Sequence, residues 1–156
     1  MVAPGGPWGW PLPPPHRVVA GFDPPAQPWL AGQRGVLLAG RAGEQVLAAG
    51  TGVIGFAGDV GGIGVVTILH GPLRTTYEPV VARVHRGETV YAGGVIGRLT
   101  TAGSECAPVA CLHWGLLRGV DYLDPLSLVS REEIRLLPLA GSATPVNLPA
   151  GASGGG

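Results

Sequence analysis

Gly43-Glu44-Gln45-Val46-Leu47-Ala48-Ala49-Gly50 is followed by Val53-Ile54-Gly55, and Gly87-Glu88-Thr89-Val90-Tyr91-Ala92-Gly93-Gly94 is followed by Val95-Ile96-Gly97. The Gly, Glu, Val, Ala and Gly positions of the first stretch return 44 residues later, and the Val-Ile-Gly returns after 42. Each copy reads as a turn at Gly-Glu, a short strand, a glycine turn and a second strand. Strands this short, separated by turns this close, predict an antiparallel sheet folded on itself. The composition agrees. The 156 residues suit one domain, and 28 glycines and 16 prolines are interleaved with Val, Ile and Leu pairs. No stretch of ten residues or more holds a 3.6-residue apolar period. The predicted class is therefore all-β.

Outward from the repeat, Gly64 to His70 is nearly all apolar and predicts a strand buried on both faces. Gly71-Pro72 turns the chain, and Arg74 to Tyr77 returns with alternating character. His16 to Phe22, Gly35 to Ala39 and Leu112 to Leu116 read as further strands, and Asp124-Pro125 reads as the cap and first position of a single helical turn. Residues 1–15, rich in proline, predict an extended lead-in from which Trp8 and Trp10 pack onto a domain of residues 16–139. Arg131 to Leu139 predicts a last edge strand, with Glu132-Glu133 as solvated acids, and residues 140–156 have the composition of a disordered tail.

Charge excludes several functions. Ten basic and ten acidic residues cancel, so no basic surplus exists for a nucleic-acid backbone. All ten basic residues are arginine. Without lysine there is no Schiff base, no Walker phosphate loop and no lipoyl or biotinyl attachment. Gly58 to Gly64 is accordingly read as a β-turn and not as a phosphate cradle. No apolar run approaches the roughly 20 residues that span a bilayer. The lead-in has no basic segment followed by an apolar one and does not read as a signal peptide; if the protein works outside the cytoplasm, its export signal is expected outside this sequence.

The order of Pro28-to-Gly40, the Gly-Glu-x-Val-x-Ala strand, Gly64-to-Val80, Gly87-to-Leu99 and Cys111-to-Leu128 resembles the lysostaphin/LytM-type zinc metallopeptidases, which cut peptides of bacterial peptidoglycan. The resemblance runs from about Trp8 to Leu128. It implies a barrel-sandwich of the duplicated hybrid motif type and an extracytoplasmic, cell-envelope location. It also implies a zinc ion with three protein ligands and an open position for water, a geometry that lowers the pKa of that water towards about 7. In the family the ligands are His and Asp of an H-x-x-x-D segment and the second His of an H-x-H strand. The first His of that strand and the His of a Y-x-H segment handle protons.

Against that pattern the sequence departs. Gln33 stands for the ligand His, and Leu37 for the ligand Asp. His113 is the only ligand that survives, preceded by Cys111 in place of the first His of the H-x-H strand. Tyr77-Glu78-Pro79 meets the Y-x-H segment, and Glu78 is read as the residue in place of that His. No tight zinc, no other cofactor and no hydrolysis by the family mechanism are expected. His70 precedes a turn and is not expected to ligate; His16 and His85 are read as solvated loop histidines. Cys111 has three open fates: a disulfide with Cys106 across a small loop, a free thiol, or a soft-metal ligand beside His113 and Glu78. Arg74, Tyr77, Glu78 and His113 are expected to line a binding groove, with Arg74 and Tyr77 holding a carboxylate or amide, and Trp114 is expected in the core.

Three functions follow from these residues. The first is a non-catalytic domain that binds a peptidoglycan stem peptide or regulates a cell-wall hydrolase. The second is an active zinc endopeptidase with substitute ligands. The third is a structural domain of an envelope assembly.

Overall fold

The computed structural model describes residues 8–25 and 32–129. The chain divides into two compact units, Met1–Leu126 and Ser127–Gly156. Among the described residues every strand lies in the first unit; in the second, only residues 127–129 are described. The expected edge strand at Arg131 to Leu139, the Glu132-Glu133 pair and the tail fall outside the described residues, as do residues 1–7 of the lead-in.

The all-β expectation holds. Eleven strands are β1 (Val18–Ala20), β2 (Val36–Ala39), β3 (Gln45–Leu47), β4 (Gly52–Val60), β5 (Ile63–His70), β6 (Leu73–Glu78), β7 (Val80–Ala82), β8 (Thr89–Val90), β9 (Val95–Leu99), β10 (Cys111–Arg118) and β11 (Asp121–Leu123). The helical turn expected after Asp124 is a 3-10 helix, Pro125–Leu128, and the Asp124 carboxylate accepts a hydrogen bond from the Leu126 amide at 3.0 Å. Eight strands form one antiparallel sheet in the order β1-β2-β10-β6-β5-β4-β8, with β11 paired to β10. A second sheet has the order β3-β9-β7.

The two repeat copies pair crosswise. The first strand of copy one meets the second strand of copy two, Gln45 opposite Arg98. The second strand of copy one meets the first strand of copy two, Val53 opposite Thr89. Their leading turns are alike: Gly43 and Gly87 have φ of 86° and 94°, the left-handed region that glycine enters without a Cβ penalty. In both turns the glutamate carboxylate accepts a backbone N–H three residues back, from Arg41 and from His85.

One strand differs from expectation. β5 is buried on one face only: Val66, Ile68 and His70 are buried, while Leu69 is 43% exposed. An apolar run need not be covered twice. Here the second face becomes the floor of a groove. The core lies on the other face, where Val36, Leu38, Ile54, Val66, Ile68, Tyr77, Leu112, Trp114 and Leu116 are buried. The lead-in docks onto the same domain, as expected: Trp8 stands edge-on to His70 at 4.8 Å, and Trp10 lies 6.2 Å from Trp114. His16 is therefore not a solvated loop residue, because its ring stacks on Trp10 at 4.4 Å and bonds the Leu12 carbonyl. His85 is the exposed loop histidine expected.

Candidate functional site

A strand turns alternate side chains to opposite faces, and β6 and β10 pair in register His113 to Glu78, Trp114 to Tyr77, Gly115 to Thr76 and Leu117 to Arg74. Odd positions of β10 and even positions of β6 therefore share one face. That face opens into a groove of about 680 Å³, to which Arg74, Thr76, Glu78 and His113 contribute polar groups and Phe56, Val65 and Leu69 an apolar wall. Glycines make room for it. A Cβ on Gly35 would stand 2.5 Å from the Trp114 carbonyl and 2.9 Å from the His113 ring, and one on Gly115 would stand 2.5 Å from the Thr76 hydroxyl. Neither residue can carry a side chain without displacing the site.

Gln33, Arg74, Glu78 and His113 line the groove. Leu37 pairs with His113 in the sheet but is buried, 7% exposed, and does not line it. His113 Nδ1 is 3.7 Å from a Glu78 carboxylate oxygen and makes no hydrogen bond among the described residues. By chain spacing the third residue of the Tyr77-Glu78-Pro79 segment is Pro79, so the Y-x-H histidine has become a proline. Glu78 reaches the site for a different reason: sheet register sets it opposite His113.

Tyr77 is a correction. It was expected in the groove, yet it is fully buried on the opposite face. Its hydroxyl accepts from the Ala49 amide at 3.0 Å and is 2.7 Å from Thr75 Oγ1. Thr75 Oγ1 is in turn 2.7 Å from His70 Nε2, and His70 Nδ1 is 2.8 Å from the Thr51 carbonyl. A carbonyl only accepts, so Nδ1 carries the proton and Nε2 accepts from Thr75. The chain of donors then runs one way, Ala49 to Tyr77 to Thr75 to His70 to Thr51. Burial pushes the Tyr77 phenol up to about 12 against the opposing pull of its hydrogen bonds. Burial also lowers the pKa of His70, against the Thr51 bond that raises it. His70 is thus a structural histidine, and Trp114 is in the core, as expected.

Of the open fates of Cys111, the disulfide with Cys106 is realised. A disulfide sulfur is no thiolate, so Cys111 is unavailable to a metal. The bridge has a consequence that sequence reading missed. It ties the 104–111 loop to the strand that carries His113, and Glu105 enters the groove. Ligand atoms of Glu78, Glu105 and His113 all lie within 4.8 Å of one another. Following the Cys106–Cys111 pairing one residue back along the chain is the signal that finds Glu105. Arg34 and Tyr122 also line the groove, the guanidinium 6.0 Å above the ring, and no motif pointed to either.

Comparison with known proteins agrees with this architecture. A model of Peptidase family M23 matches residues 31–125. The protein Rv2891 of Mycobacterium tuberculosis is 49% identical over 137 residues, which are 85% of this chain and 55% of that protein; the chain thus spans about half the length of the curated relatives it matches. Among solved structures, the antimicrobial peptidase lysostaphin from Staphylococcus simulans superposes with a TM-score of 0.66 at 22% identity, over 84% of this chain and 56% of that one. A chain of the SpoIIIAH and SpoIIQ complex does so with a TM-score of 0.66 at 20% identity, over 78% of this chain and 99% of that one. These two likenesses are of fold. No helix among the described residues is long and apolar enough to cross a membrane.

Proposed function

The chain belongs to Peptidase family M23, and we propose that it keeps the groove of such an enzyme without the catalysis: a non-catalytic domain that binds a peptidoglycan stem peptide or regulates a cell-wall hydrolase outside the cytoplasm. One observation carries the reading. The residue at the position of the metal-binding Asp is Leu37, buried beside His113 in the sheet. An isobutyl group has no donor atom, and the Gln33 amide oxygen is a poor zinc donor next to imidazole, thiolate or carboxylate. The family positions therefore do not fit the tetrahedral zinc that the resemblance implies. Neither proton-handling position is histidine: one is the bridged Cys111 and the other is Pro79. The disulfide favours an oxidising compartment.

The test pairs two measurements on the purified chain. After incubation with zinc and gel filtration, the metal content is expected below about a tenth of an equivalent, since most of the binding energy of a closed site is missing. The same protein is expected to sediment with purified peptidoglycan and to release no soluble fragments from it. A second reading rests on the Glu78, Glu105 and His113 cluster, which offers substitute ligands for an active endopeptidase. It requires one equivalent of zinc that His113→Ala abolishes, and peptidoglycan solubilised in step. A protein that ignores both zinc and peptidoglycan favours a structural role in an assembly.

A further inference from the structure

Resting on the reading of the groove as a peptide site, we infer the class of ligand: a short extended peptide with a primary ammonium and a free carboxylate, the ammonium between Glu78 and Glu105 and the carboxylate at Arg74. The order of charge along one strand carries this. Arg74, Thr76 and Glu78 share the groove face of β6, and at about 3.3 Å per residue the two charged positions stand about 13 Å apart. That is the span of about four residues of extended peptide. Arg74 has no hydrogen bond or ion pair among the described residues, and a guanidinium in a half-covered groove is matched by a planar carboxylate. Arg34 and Arg74 against Glu78 and Glu105 leave the lining balanced. A groove of zero net charge with its signs separated selects a ligand that is itself zwitterionic.

The acidic end suits an ammonium. Carboxylates only accept hydrogen bonds and an ammonium brings three donors, so Glu78 and Glu105 can share one between them. Acceptors set tetrahedrally about an ammonium nitrogen at about 2.9 Å are about 4.7 Å apart, whereas tetrahedral zinc ligands at about 2.1 Å are about 3.4 Å apart. The ligand atoms of the cluster all lie within 4.8 Å of one another, and His113 Nδ1 stands 3.7 Å from Glu78. Phe56 stands between the two ends, in line with Thr67 and Thr76, and Leu69 stands beside Arg74; 39% and 43% exposed, they cover the apolar side of an extended chain.

The test is calorimetry at low salt with one synthetic tetrapeptide in four forms: free, N-acetylated, C-amidated and doubly capped. The free form is expected to bind at least about tenfold tighter than the doubly capped one, with each cap contributing. N-acetylation is expected to cost less in Glu105→Gln, where only Glu78 still meets the ammonium, than in the unchanged chain, and C-amidation nothing further in Arg74→Gln, because cap and substitution then remove a shared contact. Both residues lie on the groove surface, and unchanged melting temperatures exclude misfolding. Binding of all four forms within about twofold overturns the inference, as does a zinc ion that binds at one equivalent through Glu105 and displaces the peptide. If no form binds at millimolar concentration while the chain still sediments with peptidoglycan, the inference fails and the proposed function stands. If neither binds, both fail.

Discussion

The two faces of β5, β6 and β10 are built from alternate residues of the same strands, yet they follow opposite rules. On the inner face Tyr77, Thr75 and His70 are buried and every polar atom of their relay has a partner. On the outer face Arg74, Glu78, Glu105 and His113 stand in a groove with charges largely unmatched. A buried polar group costs free energy unless it is bonded, so the inner face closes the Tyr77, Thr75 and His70 bonds within the chain, leaving Trp114 Nε1 without a hydrogen-bond partner among the described residues. The outer face can leave its bonds for a ligand. The packed framework and the groove are thus separated by the parity of residue number along β6.

The sharpest way to break that comparison is to substitute across the parity line. Trp114→Ala on the inner face is expected to cost about 3–5 kcal/mol in chemical denaturation, the range for emptying a buried aromatic site. Tyr77→Phe keeps the ring but strands the Ala49 amide and takes from the Thr75 hydroxyl its donor while leaving its bond to His70, and is expected to cost about 1–3 kcal/mol while leaving peptide affinity unchanged. A Tyr77→Phe protein that folds normally but loses its ligand would return Tyr77 to the groove. Replacing both cysteines by serine is expected to cost about 2 kcal/mol from loop entropy. It should also weaken binding of the free peptide more than of the acetylated one, since the bridge holds the loop that carries Glu105.

Acid sharpens the same contrast. The folded pKa of His70 lies below its ordinary value of 6.5. Protons therefore bind the unfolded chain more readily, and stability is complete above about 6.5 and falls as pH drops towards the folded value. Melting temperatures measured from pH 7.5 to 5 should fall, and the fall should be shallower in His70→Gln. Smallest is the outer face itself: Arg74→Gln is expected to change stability by less than about 0.5 kcal/mol. A cost comparable to Tyr77→Phe would show that Arg74 is part of the framework.

Much of this was legible from residue types and spacing. Short alternating runs bounded by glycine announced β6 and β10, and the Gly-Glu turns announced the strand pairs that follow them. The departures at Gln33, Leu37 and Cys111 needed only the order of fragments, whereas proximity made the Cys106–Cys111 bridge one of three fates and the structure selects it. The errors came where facing direction mattered. Tyr77 and Glu78 are neighbours in sequence, and nothing local says which of them looks inward. Leu69 is as apolar as Ile68 but lies on the groove side, where no second layer of the described residues covers it.

By itself, then, the sequence determined the all-β class, the repeated turn-strand unit and which residue types stand at the family positions, because these depend on local periodicity and on the order of fragments along the chain. Tertiary structure alone decided that the repeat copies pair crosswise, that Tyr77 is sealed inside and that Glu105 joins Glu78 and His113. Those facts depend on which distant strands hydrogen-bond and on which side of the sheet the core forms, and both are set by the whole chain at once.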